Sequence, residues 1–327
     1  MRAVVVSEFG GPEVLRVSDV PEPQLRDHEV LIDVHATALN RADLLQRRGK
    51  YPPPRGESEI LGLECAGVVT DCGRDVDRSR LGTRVMALLA GGGYAERVAV
   101  DAQMLMPIPE NLNFTQAAAI PEAFLTAQEA LFTLGQLTPQ QRVLVHAAAG
   151  GVGSAAIQLA RTEAATIFAT AGSVEKLELA RMLGATHLVN YKTESFASVI
   201  ADASGQAGVD VILDFIGGSM WEQHAACLAP GGRCVVVGVL GGAEACVNFG
   251  QLLFKRHQIL GLVMRSRDVG DKIAMTRRFV RDRLPLFESG HLRPVVDRVF
   301  ELAEVGDAHR RMEANANLGK IVLKIRD

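Results

Sequence analysis

No stretch of this 327-residue chain holds the roughly 18–20 consecutive apolar residues that span a bilayer. Val4-Val5-Val6 is too short for the apolar core of a secretory signal, and Gly10-Gly11-Pro12 soon breaks it. A cytoplasmic protein with no membrane partner is the expectation. Basic tracts are also missing, and the net charge is −3, so a nucleic-acid partner has no electrostatic footprint. The cysteines are only five, Cys65, Cys72, Cys227, Cys234 and Cys246. Their odd number and scatter argue for reduced thiols, and neither close pair has the spacing of a zinc knuckle.

What is present is a globular balance, 48% hydrophobic and 22% charged, on a chain long enough for two domains. The first ~120 residues read as short strands between Gly-, Pro- and Asp-rich turns, among them Ala3–Val6, Glu29–Val34, Ala66–Asp71 and Arg84–Ala87. After Glu122 strands and helices alternate, as βαβ units on a parallel sheet do. Strands are expected at Arg142–His146, Thr166–Thr170, His187–Asn190, Val209–Asp214, Gly232–Val239 and Ile259–Met264. Helices are expected at Gly151–Arg161 and Val174–Leu183. The tail returns to strand character at Val295–Phe300 and Gly319–Ile325, with a helix at Val305–Asn315 between. The expected architecture is α/β: a Rossmann doubly wound parallel sheet, residues 122–265, inserted in a β-rich domain made from both chain ends, residues 1–121 and 266–327.

The run Ala147-Ala148-Ala149-Gly150-Gly151-Val152-Gly153 follows a strand and opens a helix. In that context the glycines mark a dinucleotide site. Residues without bulk let the backbone approach a pyrophosphate, and the helix start supplies free N–H groups and a positive dipole end. About 20 residues on, NAD sites place a carboxylate for the ribose 2′-hydroxyl. This chain has Ala171-Gly172-Ser173 there, followed by Lys176 in the first turn of the next helix. NADPH is therefore the expected cofactor.

Several segments carry a family resemblance. They include Asn40-Arg41-Ala42-Asp43, Gly49-x-Tyr51-Pro52-Pro53-Pro54, Leu61-Gly62-Leu63-Glu64, Gln116-Ala117-Ala118-Ala119, His146–Gly153, Asn190-Tyr191 and Gly319-Lys320-Ile321-Val322-Leu323. With them the chain resembles the zinc-independent quinone oxidoreductase (zeta-crystallin) branch of the medium-chain dehydrogenase/reductases. Leu252-Leu253-Phe254-Lys255-Arg256 and Arg265-Ser266-Arg267-Asp268 make it most similar to the tumour-suppressor-inducible subgroup.

The resemblance implies a GroES-like catalytic domain around the Rossmann domain, and a homodimer paired through Rossmann sheet edges near Gly241–Met264. It places cofactor contacts on Asn40, Gly150, Gly151, Val152, Gly153, Gly172, Ser173, Lys176, Tyr191, Gly238, Val239, Leu240, Leu262, Val263, Met264 and Asn315. Gln128 stands where related bacterial members carry tyrosine.

The zinc-dependent alcohol dehydrogenases hold a histidine in Gly-His-Glu, where this chain has Gly62-Leu63-Glu64. Without that donor, and without a four-cysteine lobe, no metal is expected. The chemistry that remains is reduction of an electron-poor quinone or enone by electron or hydride transfer from NADPH. The candidate catalytic residues are Tyr51, which either donates a hydrogen bond or a proton or only packs on the nicotinamide, and Asn40, which orients the nicotinamide or the acceptor. Tyr94 is expected to wall the cleft, His146 to be structural, and Asp43 and Glu64 to serve a cap or a buried ion pair. An enone or 2-enoyl double-bond reductase, and an NADPH-binding protein without turnover, are the alternatives.

Overall fold

The computed structural model describes residues 1–326. The chain divides into two compact units, Met1–Leu125 with Met264–Asp327, and Thr126–Val263.

The first unit is built on strands. β1 (Arg2–Val6) and β2 (Leu15–Asp19) form an antiparallel ribbon. The main sheet starts with β3 (Glu29–Ala38), followed by α1 (Arg41–Arg47), β4 (Glu64–Cys72), β5 (Arg84–Leu88), β6 (Arg97–Asp101) and β7 (Leu105–Pro107). The alternation Val30, Ile32, Val34, Ala36, Ala38 turns one face of β3 fully inward. Two short helices follow, α2 (Phe114–Ala117) and α3 (Pro121–Gln128), and the division between units falls inside α3.

The second unit is a six-stranded parallel sheet. In chain order it contains β8 (Arg142–Val145), α4 (Gly151–Thr162), β9 (Thr166–Ala171), α5 (Val174–Leu183), β10 (His187–Asn190), α6 (Phe196–Ala203), β11 (Val209–Asp214), α7 (Trp221–Cys227), β12 (Leu228–Val236), α8 (Phe249–Lys255) and β13 (Gln258–Gly261). The strand order is β10-β9-β8-β11-β12-β13. The chain winds outward from β8 one way, then restarts at β11 and winds the other, so the topological switch point lies between those two strands. Val143, Leu144, Val145, Val211, Ile212 and Leu213 are all fully buried, as central strands covered on both faces must be.

The chain then returns to the first unit through α9 (Val269–Asp282), α10 (Leu284–Glu288), β14 (Val296–Glu301), α11 (Val305–Glu313) and β15 (Lys320–Lys324). β15 pairs antiparallel with β3, Val322 opposite Ala38, so segments from the N-terminal and C-terminal parts of the chain share one sheet. That is the split GroES-like and Rossmann-like organisation expected above.

Several element ends differ from the sequence reading. β12 stops at Val236 and β13 at Gly261, which leaves Gly238–Leu240 and Leu262–Met264 in loops. The α11 helix ends at Glu313, and Asn315 sits in the left-handed region at φ 53°. Tyr94 is fully buried and therefore belongs to the core, not to a cleft wall. All five cysteines are free, with Cys246 the exposed one. No helix of the described residues is long and apolar enough to cross a membrane.

Candidate active site

In the second unit the dinucleotide turn is made from backbone. After β8, Ala147 takes a left-handed conformation at φ 46° and reverses the chain toward α4. Gly150 caps α4 without any side-chain hydrogen bond. The first N–H groups of that helix have no intrahelical partners and are open to an anion. A Cβ on Gly153 would stand 2.3 Å from the Ala147 carbonyl oxygen and 3.0 Å from Ala148 Cα. Only glycine lets the helix close so tightly on the turn. These features fit a bound pyrophosphate.

At the end of β9, a Cβ on Gly172 would meet the Tyr191 hydroxyl at 2.8 Å and Lys192 Cε at 2.9 Å. Tyr191 is half exposed beside this glycine. Ser173 is occupied by capping α5, its hydroxyl accepting from Lys176 N at 3.4 Å. The structure thus gathers Gly172, Ser173, Lys176 and Tyr191 at one strand end with no acidic group among them, and adds Lys192. Sequence reading passed over Lys192, although its place two residues after Asn190 is the signal that could have found it.

The Gly238–Leu240 loop hangs from β11. Gly238 N donates to Asp214 O at 3.2 Å, and Leu240 N donates to Phe215 O at 3.1 Å. Val239, Leu240 and Val263 are at least half exposed, whereas Leu262 is buried. Gln128 is buried.

Asn40, Tyr51, Met264 and Asn315 belong to the first unit. Asn40 precedes α1, and its backbone N–H donates to Asp43 Oδ2 at 2.7 Å. Its amide is heavily engaged: Oδ1 accepts from Lys320 Nζ at 2.6 Å, and Nδ2 donates to Glu64 Oε1 at 2.9 Å. Lys320 Nζ also lies 2.7 Å from Glu64 Oε1 and donates to Leu39 O at 2.8 Å. Glu64 Oε2 accepts from Glu122 N at 2.9 Å. Glu64 is fully buried and Lys320 nearly so, and the pair is held on every side by hydrogen bonds, the condition for tolerating buried charge. Asn315 exchanges a side-chain hydrogen bond with Arg41.

Asp43 is buried as well. Its Oδ1 accepts from Gly62 N at 3.2 Å and its Oδ2 from the Tyr94 hydroxyl at 3.1 Å. Burial pushes its carboxyl up to about 6 against those hydrogen bonds. Glu122 is pushed up to about 8, first by burial and then by the nearby Glu64 charge. His309, buried beside Arg47, is driven down to about 3 and stays neutral.

Tyr51 is half buried, and its hydroxyl has no hydrogen-bond partner among the described residues. Arg265 lies against it. The guanidinium carbon is 5.4 Å from the ring centroid, Nη1 donates to the Tyr51 carbonyl at 3.2 Å, and Nε donates to Ala90 O at 2.6 Å. Lys272 Nζ in turn donates to Arg265 O at 2.7 Å. Burial and the Glu122 charge raise the Tyr51 hydroxyl pKa, so the phenol remains a proton donor at neutral pH. Arg265, Lys272, Glu122 and Lys320 are the residues that sequence reading did not rank. Their signal, charged side chains in segments that fold inward, appears only once burial is known.

Residues 26–110 match the family described as alcohol dehydrogenase GroES-like domain, and residues 151–279 the one described as zinc-binding dehydrogenase. The quinone oxidoreductase of Rattus norvegicus is 33% identical over 326 residues, covering 99% of this chain and 97% of that protein. The chain belongs to the medium-chain dehydrogenase/reductases. It is therefore an oxidoreductase of a nicotinamide-dependent fold, similar to quinone oxidoreductases among others. A CurK enoyl reductase is 31% identical at TM-score 0.87, covering 99% of this chain and 98% of that one. A mycobacterial protein complexed with NADPH is 28% identical at TM-score 0.88, covering 99% of this chain and 100% of that one.

The zinc in the family description does not fit the residues present. Leu63 is buried and offers no donor atom, and the Glu64 carboxylate is taken by Lys320 and Asn40. Cys65 beside it is fully buried and belongs to no group of three metal-type donors among the described residues. Among the described residues one group of metal-type donors comes together, Asp214, His224 and Cys234, and it lies in the other unit.

Proposed function

We propose that this protein is an NADPH-dependent, zinc-independent quinone oxidoreductase. The observation that carries the reading is Leu63 together with the Lys320–Glu64 pair: a fixed ammonium and a donorless side chain stand where a dehydrogenase would need a Lewis acid to bind an alkoxide. Alcohol oxidation loses its means, and reduction of an already electron-poor acceptor remains. The likeness to the rat quinone oxidoreductase supports quinones as that acceptor.

NADPH, when bound, supplies a hydride. In this reading the N-terminus of α4 and Gly150–Gly153 hold its pyrophosphate, and Gly172 with Lys176, Tyr191 and Lys192 receives the adenosine end. The carboxylate-free end of β9 and the NADPH-complexed relative favour the 2′-phosphate. Tyr51 presents an unpartnered, protonated hydroxyl to the acceptor oxygen, and Arg265 fixes the ring beneath it. Asn40 acts as the positioning element that joins Lys320 and Glu64 to α1. A homodimer is part of this proposal. β13 ends the parallel sheet, with Ile259 partly exposed and Phe249, Leu253 and Phe254 of α8 largely so. Light scattering of the purified chain tests it, and a monomer would remove it.

The test of function is NADPH oxidation against ortho- and para-quinones, simple enones and 2-enoyl thioesters, with NADH in parallel. Quinone-dependent turnover that survives chelators is the expected result, and turnover with none of the quinones would end the proposal. The enoyl reductase likeness and the free Tyr51 hydroxyl support a second reading, a double-bond reductase in which Tyr51 donates the proton. There Tyr51→Phe lowers turnover on enones by about 10²-fold, the usual worth of a general acid. An unchanged rate would leave the tyrosine a packing role.

A further inference from the structure

We propose that Asp214, His224 and Cys234 form a binding site for one divalent cation of the zinc class, inside the second unit and separate from the reductase chemistry. Asp214 ends β11, Cys234 lies on β12, and His224 reaches them from α7. Their donor atoms lie within 4.8 Å of one another, and His224 Nδ1 is 3.8 Å from Asp214 Oδ2. Bond lengths of about 2.0 Å to N and O and 2.3 Å to S put donors some 3.3–3.5 Å apart around a tetrahedral ion. Side-chain rotations that shorten the longest separation by about 1.3–1.5 Å therefore close the site.

The second observation is the state of His224. It is fully buried, and its Nδ1 has no hydrogen-bond partner. Its Nε2 sits 2.8 Å from His146 Nε2, and His146 Nδ1 sits 2.7 Å from Thr170 Oγ1. One proton lies between the two imidazoles. If His146 donates it, His224 carries its own proton on Nδ1 and aims it at a carboxylate oxygen too far away to accept. If His224 donates it, His146 Nδ1–H donates to Thr170, and a bare lone pair on His224 Nδ1 faces the Asp214 carboxylate. A cation between them reconciles the second arrangement, in which the outer ring nitrogen of the ligand histidine is bonded as metal-bound histidines require.

The Asp214 carboxylate agrees with this, and the Cys234 thiol, which burial and the Asp214 charge keep protonated in the metal-free chain, must lose its proton when an ion enters. Asp214 Oδ1 already accepts from Ile216 N at 2.7 Å and from Gly217 N at 3.0 Å, which orients the carboxylate. Cys234 is fully buried. On binding, its thiol releases a proton to solvent, and one thiolate with one carboxylate neutralises the double charge. An ion there would cross-link the C-terminal ends of β11 and β12. Through His146 it would also brace the segment that leads into the dinucleotide turn.

The test uses the full chain, stripped of metal, in a Cys246→Ser background so that the exposed thiol is removed. Titration with Co2+ should load one ion per chain that survives desalting, with a near-ultraviolet thiolate-to-cobalt absorption. Both should be lost in Cys234→Ser and in His224→Asn. Zn2+ at a hundredfold excess over its Kd should raise Tm by roughly 5–10 °C. No retained ion overturns the site, and so does an absorption that persists in either variant. If a variant fails to fold by circular dichroism, X-ray absorption of the zinc-loaded parent decides: one sulfur with nitrogen and oxygen neighbours supports the site, and any other set overturns it. None of these readouts depends on turnover.

Discussion

The glycine turn after β8 and the buried polar cluster around Glu64 are built by opposite means. The turn is a backbone site: seven consecutive residues, of which Gly153 is required because the Ala147 carbonyl oxygen would stand 2.3 Å from any Cβ. The Glu64 cluster is made of side chains. Lys320 joins Asn40, Glu64 and Glu122 because β15 pairs with β3 and carries it beside the end of that strand. A backbone site tolerates change in everything but bulk. A side-chain site fails when any one charge loses its partner.

The largest test of that contrast is Lys320→Met. It leaves the Glu64 carboxylate buried without its ammonium and should cost about 3–5 kcal/mol of stability by urea unfolding. A loss below ~1 kcal/mol would show the pair to be looser than its geometry. Gly153→Ala is the corresponding blow to the turn. The chain should stay folded by circular dichroism while NADPH affinity, followed by fluorescence titration, falls about 100-fold, or some 2.7 kcal/mol. Equal damage to folding and binding would instead make the turn a structural element.

Glu122 sharpens the comparison through pH. Its folded pKa of about 8 lies above its ordinary value of 4.5. The native state therefore holds its proton more tightly, and stability falls as pH rises from about 4.5 to about 8. Asp43, pushed up to about 6, adds to the lower part of that fall, while neutral His309 opposes it on the acid side below 6.5. Glu122→Gln should flatten the upper part of the profile and gain about 1–2 kcal/mol at pH 8, the side chain being partly exposed. Melting curves from pH 5 to 9 read this directly, and an unchanged slope would place the proton elsewhere. The smallest effect is Lys176→Ala. It should weaken NADPH about tenfold and NADH little, and equal losses would deny the lysine a role at the 2′-phosphate.

Legibility followed the same line. The sequence alone located the turn, the two-part architecture, the missing carboxylate after β9 and the missing histidine at Leu63, because each depends on residues adjacent in the chain. It left each of Asp43 and Glu64 as either a cap or half of a buried ion pair, and the structure decides between them, with Asp43 at the start of α1 and Glu64 against Lys320. It could not find Lys320 as the partner, since more than 250 residues separate the two. It set Tyr94 in a cleft wall, because an aromatic after three glycines gives no sign of a carboxylate waiting beneath it.

Tertiary structure alone decided three further matters. It set Lys192 beside Gly172, Arg265 beneath Tyr51, and Asp214, His224 and Cys234 around one point. Local sequence controls backbone conformation, because sterics and hydrogen bonding act over a few residues. The meeting of distant side chains depends on sheet order and register, which only the packing of the whole chain determines.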